Sequence, residues 1–261
     1  MLSFRNICNI ELRKLMYRKD MWIMLTMLAI PALYSIGIFL NSSVIVFTGE
    51  EKEYGMSFFV NMFSFVNAVY IYYFILSLVS VRSLGGEIEN KSILLYTQRI
   101  NNRPKMYFAK VGSLILAFFV ICLAFLIVTL VMYYLFAVQR EDLVTRQLLK
   151  SEELTGLFLF FLCIVLVYIF TITFSVMLSV YFKINTAVII FSIVLIAFMF
   201  VSEFPTIQYL SITYYISRFG ELDLTQTSEA VKLFLANAAL VAVYSTIFSV
   251  IGIRKFERRD L

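Results

Sequence analysis

Six stretches of the chain carry no charged side chain: residues 21–49, 54–81, 111–139, 154–182, 184–202 and 233–253. All 22 Lys and Arg and all 17 Asp and Glu fall between or beyond them. About 20 apolar residues in a helix cross a bilayer's hydrocarbon core, and a charge at its centre costs about 3 kcal/mol or more. The pattern therefore predicts an all-α, polytopic membrane protein, one domain over 1–261, with six transmembrane helices near 21–41, 58–81, 111–136, 157–181, 184–201 and 233–253. No ionisable group stands inside these spans to carry a proton or sodium ion, so an energy source outside the chain is expected.

The connecting segments have patterns of their own. Residues 4–19 read as an amphipathic helix lying on the membrane. Phe4, Ile7, Cys8, Leu12, Leu15 and Met16 share one face; Arg5, Asn9, Arg13, Lys14 and Arg18 take the other. Glu11 falls close to the apolar stripe, where pairing with Lys14 or another nearby base is expected. Trp22 suits the interface at which the first span begins. Pro31 removes a hydrogen bond to Met27 and predicts a bend in that span. Asn61, Ser64 and Asn67 lie three apart in the second span, and Thr171, Ser175 and Ser179 four apart in the fourth. Such polar stripes serve hydrogen bonds between packed spans or line a route for an amphiphilic substrate.

Two loops are shaped. After the second span, Gly85 and Gly86 are expected to break the helix, and Glu87 to Tyr96 to form a short helix of its own within 85–96. Pro104 suits the first turn of the next helix. After the fifth span, Glu203 and Pro205 end the helix. Residues 204–217 are charge-free but too short to cross, and read as a re-entrant or interfacial piece.

Charge sets the orientation. Sixteen Lys and Arg flank the spans on the side of both termini and six lie on the other, so the positive-inside rule places both termini in the cytoplasm. The basic balance thus reflects membrane topology, and a nucleic-acid partner is not indicated. At 61% hydrophobic and a mean hydropathy of +0.89, the 261 residues leave no room for a soluble domain. The amino terminus lacks the apolar core and cleavage site of a secretory signal, so the first span is expected to remain. Cys8, Cys122 and Cys163 show no disulfide or zinc spacing. With no histidine and no GxxxxGK[ST], the chain offers no His-based metal or Ser-His site and no phosphate-binding loop.

The chain resembles the permease subunit of a type-2 ABC transporter along essentially its whole length. The carriers are Glu11-Leu12-Arg13-Lys14 with Arg18-Lys19 before the first span; Glu87-x-Glu89-x-Lys91-Ser92, then Arg103 and Lys110, after the second; the hairpin around Pro205; and the ending Phe256-Glu257-Arg258-Arg259-Asp260-Leu261. Asn90-Lys91 departs from the pattern, since many members have Gly before the Ser or Thr. The resemblance implies an elbow helix over 4–19, a coupling helix at Glu87 to Tyr96 and an outer gate at 204–217. ATPase coupling would then fall to Glu11, Glu87, Glu89, Leu94, Tyr96 and Arg103. The pathway would use Asn61, Ser64, Asn67, Thr171 and Ser175, and the gate Phe204, Pro205 and Tyr209. It further implies a separate cytoplasmic ATPase holding ATP and Mg, a second permease chain, and a place in a bacterial plasma membrane. No catalytic residue, metal or cofactor is expected in this chain. The implied cargo is an amphipathic, lantibiotic-like peptide or a hydrophobic drug moved outward. The alternatives are a self-contained channel, scramblase or secondary carrier, and a membrane sensor that transports nothing.

Overall fold

The computed structural model describes residues 3–41, 52–94 and 102–259, and these form helices with no strand. Six helical segments are long and apolar enough to cross a membrane, so the protein is an all-α, multi-pass membrane protein. α1 (Phe4–Met16) is the amphipathic helix, and Ile7, Cys8, Glu11 and Leu15 form its buried face. The first span is α2 (Lys19–Met24), a 3₁₀ turn (Leu25–Leu28) and α3 (Ala29–Phe39). Pro31 falls in the first turn of α3, where a missing N–H matters least, and the 3₁₀ turn takes up the offset in front of it.

The second apolar run departs from the expected single span over 58–81. It forms two helices, α4 (Gly55–Ala68) and α5 (Ile71–Glu89), joined through Tyr70 at φ 51°. A left-handed non-glycine residue costs about 1–2 kcal/mol. Local contacts hold this one: the Tyr73 hydroxyl donates to the Asn67 side-chain oxygen, and the Tyr70 and Tyr73 rings lie 6.0 Å apart. The Tyr73 ring in turn stacks on Tyr168 at 4.5 Å. Nor do Gly85 and Gly86 break the helix. α5 runs through both to Glu89, because Gly85 is where α5 meets the fourth span: a β-carbon there would sit 3.2 Å from that of Ser179.

The third span, α6 (Arg103–Leu135), begins about two turns before its apolar run, with Pro104 in its first turn. The fourth and fifth are α7 (Leu154–Tyr181) and α8 (Ile184–Val201). The expected charge-free piece over 204–217 resolves into a 3₁₀ turn (Gln208–Leu210) and α9 (Ile212–Glu221), which carries Arg218 within it. Apolar Ile212, Tyr215 and Phe219 recur on its buried face, and Phe219 stacks on Phe160 of α7 at 5.5 Å. The sixth span, α10 (Thr227–Arg258), extends beyond its apolar run at both ends.

α7 is the axis of the bundle. In lipid, apolar burial gives helices little reason to associate, so close packing and hydrogen bonds carry the load. Hydroxyls of α7 meet that need: Ser175 donates to Ser77 of α5 at 2.8 Å, and Thr173 bonds Ser245 of α10 at 3.1 Å. Asn237 of α10 donates to the Cys163 carbonyl at 3.2 Å. Small residues let the backbones close: an added β-carbon at Gly156 would collide with the Leu224 carbonyl, and one at Gly252 would lie 2.5 Å from the Tyr107 hydroxyl.

That last contact gives a prediction. Tyr107 is fully buried and its hydroxyl has no hydrogen-bond partner among the described residues. Gly252→Ala should lower stability in detergent by about 1–3 kcal/mol through overpacking. Adding Tyr107→Phe should recover part of the loss, because it removes the atom in the way. Identical melting of wild type and Gly252→Ala would mean that α6 and α10 do not approach this closely.

Candidate functional site

Four charged side chains from three helices converge on the side of the bundle that carries both termini. Glu11 and Lys14 stand one turn apart on α1, Glu87 lies in the last turn of α5, and Lys110 lies about two turns into α6. Lys110 Nζ contacts Glu11 Oε2 at 2.7 Å and Glu87 Oε2 at 2.8 Å, and donates to the Ser83 carbonyl at 3.0 Å. Lys14 Nζ contacts the other oxygens of the same acids, Glu11 Oε1 at 2.7 Å and Glu87 Oε1 at 2.9 Å. Acid and base alternate around a closed ring of zero net charge.

Burial makes the ring strong. The Lys110 side chain is 1% exposed and that of Glu11 6%. A buried ammonium is tolerated only when it is paired and hydrogen-bonded: Lys110 donates to Glu11 and to the Ser83 carbonyl and stands in ion-pair contact with Glu87. Burial alone would raise the Glu11 carboxyl, but the Lys110 and Lys14 ammoniums outweigh it and hold the group below its ordinary value of 4.5.

Neighbouring contacts extend the clamp. Asp20, in the first turn of α2, bridges Arg82 of α5 at 3.0 Å and Arg18 at 3.2 Å. Glu89 accepts from the backbone N–H of Ile184 at 2.8 Å, placing a carboxylate at the positive end of α8. Arg103 donates to the carbonyls of Phe256, Glu257 and Arg259 at 3.2, 2.7 and 2.9 Å, which closes the carboxyl end of α10. Beyond the clamp, Asn90 and Lys91 are exposed, Lys91 at φ 55°, and Ser92 Oγ donates back to the Glu87 carbonyl at 3.4 Å. Beside this turn is a cleft of about 340 Å³ lined by Arg18, Arg82, Gly86, Glu87, Asn90, Ser92 and Ile184.

Of the residues assigned to coupling, Glu11, Glu87, Glu89 and Arg103 thus spend their charges inside the chain. Leu94 is half-buried, and Tyr96 lies outside the described residues. The pathway set does not share a surface. Asn61 is exposed and donates to Glu53 at 2.7 Å, Ser64 is half-buried, and Asn67 is buried against Tyr73. Thr171 and Ser175 are fully buried, Thr171 donating to the Val167 carbonyl at 2.9 Å. Phe204, Pro205 and Tyr209 are exposed. Lys110 entered the sequence reading only as a carrier of the resemblance, with no partner assigned, and Asp20 and Arg82 were not singled out. The signal for Lys110 was its position immediately before an apolar run, in helical register with Arg103.

The family described as "Protein of unknown function (DUF2705)" matches residues 21–261. The chain belongs to this family. The match includes Glu87 and Lys110 but begins after α1, so Glu11 and Lys14 lie outside it. No curated protein matches the sequence.

Two predictions follow from the ring's geometry. Lys110→Met leaves two carboxylates to share one ammonium and should cost about 3–5 kcal/mol, whereas neutralising all four members together should cost far less. Equal losses in the two variants would mean that the residues act independently. The second concerns acid. A carboxyl whose folded value is lowered stabilises the fold above its unfolded value, and that contribution fades as pH falls through the folded value. Trypsin cleavage at exposed Arg13 should therefore stay slow from neutral pH down to about 4.5 and, read with an acid-stable protease of matched specificity, speed up only below it. Release of α1 at pH 6 would contradict the assignment.

Proposed function

We propose that this chain is the membrane-spanning permease subunit of an ATP-driven exporter of the type-2 ABC class. It sits in a bacterial plasma membrane with both termini in the cytoplasm. It pairs with a second permease chain and is driven by a separate ATPase holding ATP and Mg. The cargo is an amphipathic peptide or a hydrophobic drug moved outward.

The observation that carries this reading is the clamp. The ring ties α1, the end of α5 and the start of α6 into one body directly behind the exposed Asn90–Lys91 turn. A push on that turn by a cytoplasmic partner would move three helices at once, which is what a subunit with no energy source of its own requires. Glu11 and Glu87 then act as positioning residues, and the contacts with the ATPase fall to the turn and its cleft.

The lining of a pathway is consistent with two chains. Thr171, Thr173, Ser175 and Ser179 of α7 spend their hydroxyls within the bundle, while α8 and α10 leave most of their surface uncovered. A route formed between copies, along lipid-facing helices, suits a cargo that already resides in the membrane.

The decisive test is affinity purification of the tagged chain from native membranes, with mass spectrometry and an ATPase assay on the eluate. A stoichiometric P-loop ATPase is expected, and Lys91→Glu with Ser92→Trp should reduce its recovery at least fivefold while the permease still elutes as a folded species. Purification without any nucleotide-binding partner would refute the reading.

A further inference from the structure

On the opposite side of the bundle, Glu53 leads into α4. Its backbone is fixed: the N–H donates to the Leu143 carbonyl at 3.1 Å, and the carbonyl accepts from the Thr145 N–H at 3.0 Å and the Tyr133 hydroxyl at 2.9 Å. The side chain folds along α4 toward the membrane, where Oε1 accepts from Asn61 Nδ2 at 2.7 Å. Asn61 lies six residues beyond Gly55, about 9 Å along the helix at 1.5 Å per residue.

The Glu53 carboxylate has no basic partner among the described residues, although six bases lie on this side. Each is engaged elsewhere. Lys52 donates to the Glu141 carbonyl at 2.5 Å, Arg140 pairs with Asp142 at 2.8 Å, and Arg146 pairs with Glu141 at 2.8 Å. Lys150 pairs with Glu153 at 2.7 Å, Arg218 with Glu221 at 2.8 Å and Lys232 with Glu229 at 3.0 Å. Burial pushes the Glu53 carboxyl up, with only the Asn61 amide opposing it.

The surroundings suit a cation with an apolar body. Tyr34 of α3 is half-buried, and its ring lies 5.9 Å from that of Phe58, which lies 5.1 Å from the ring of Tyr133, the residue bonded to the Glu53 carbonyl. One turn further along α4, on the same face as Asn61, Phe65 is 56% exposed. We propose that Glu53, Asn61 and Tyr34 form a receptor for the ammonium group of a cationic amphiphile, whose apolar part lies along α4 at Phe65. The carboxylate supplies the charge, Asn61 Oδ1 a second acceptor, and the Tyr34 ring a cation–π face. Two converging side-chain oxygen donors are too few for a dedicated divalent-metal cage. The site refines the cargo of the exporter reading to a cationic amphiphile, and its binding needs no ATPase.

The test is therefore made on the isolated chain in lipid nanodiscs. Dicyclohexylcarbodiimide attacks protonated carboxyl groups in apolar surroundings, and its adduct at Glu53 is read by mass spectrometry. Octylammonium should protect Glu53 with saturation, and octanol should not. Asn61→Leu and Tyr34→Leu should each weaken protection about fivefold while the chain still elutes as a folded species. Equal protection by octanol would reduce the site to apolar shielding, equal protection by sodium would make it an inorganic cation site, and no adduct at Glu53 would mean no accessible unpaired carboxyl. Any of these three results overturns the proposal. Saturable protection by octylammonium in a chain that recovers no ATPase would keep the site and remove the exporter.

Discussion

The placement of Lys110 governs the architecture on the side of the termini. An ammonium that is 1% exposed is stable only when paired, and two carboxylates from different helices, with the Ser83 carbonyl, surround it. Those carboxylates fix where α1 lies and where α5 ends. Lys14 completes the charge balance from the rim. Because loss of any one member leaves a buried charge unmatched, the four depend on one another.

The bundle above this clamp is built by a different force. Lipid removes the hydrophobic drive between helices, so their positions are set by how closely the backbones pack and which polar groups must meet. Gly156 and Gly252 allow approaches that any β-carbon would block, and Ser77, Ser175, Thr173 and Asn237 supply bonds between spans. The break at Tyr70 belongs to the same logic. Its left-handed backbone persists because Tyr73 reaches Asn67 and stacks on Tyr168. The polar stripe of Thr171, Ser175 and Ser179 lies buried in the bundle.

The two faces of the molecule consequently differ in kind. On the side of the termini, opposite charges close on one another, and the exposed Asn90–Lys91 turn stands on that rigid base. On the far side Glu53 is left with an amide for a partner while every described base is engaged elsewhere.

The sequence by itself determined the class of the fold. A charge within hydrocarbon is costly enough that six charge-free runs are legible as spans without any knowledge of their neighbours. It also showed Glu11 out of place on the apolar face of α1 and in need of a base. Lys14, the base in reach on the same helix, does pair with it, and tertiary structure alone supplied the second base. Lys110 is 99 positions away in the chain, and nothing local distinguishes it from the other cations that precede an apolar run. The same holds for Gly85, which reads as a helix breaker until Ser179 is seen against it, and for Tyr70, whose turn has no glycine or proline to announce it. Solvent preference is a property of each segment and is written along the chain. The pairing of buried charges, close approaches and backbone breaks depends on partners far away in sequence, and exists only once the helices have met.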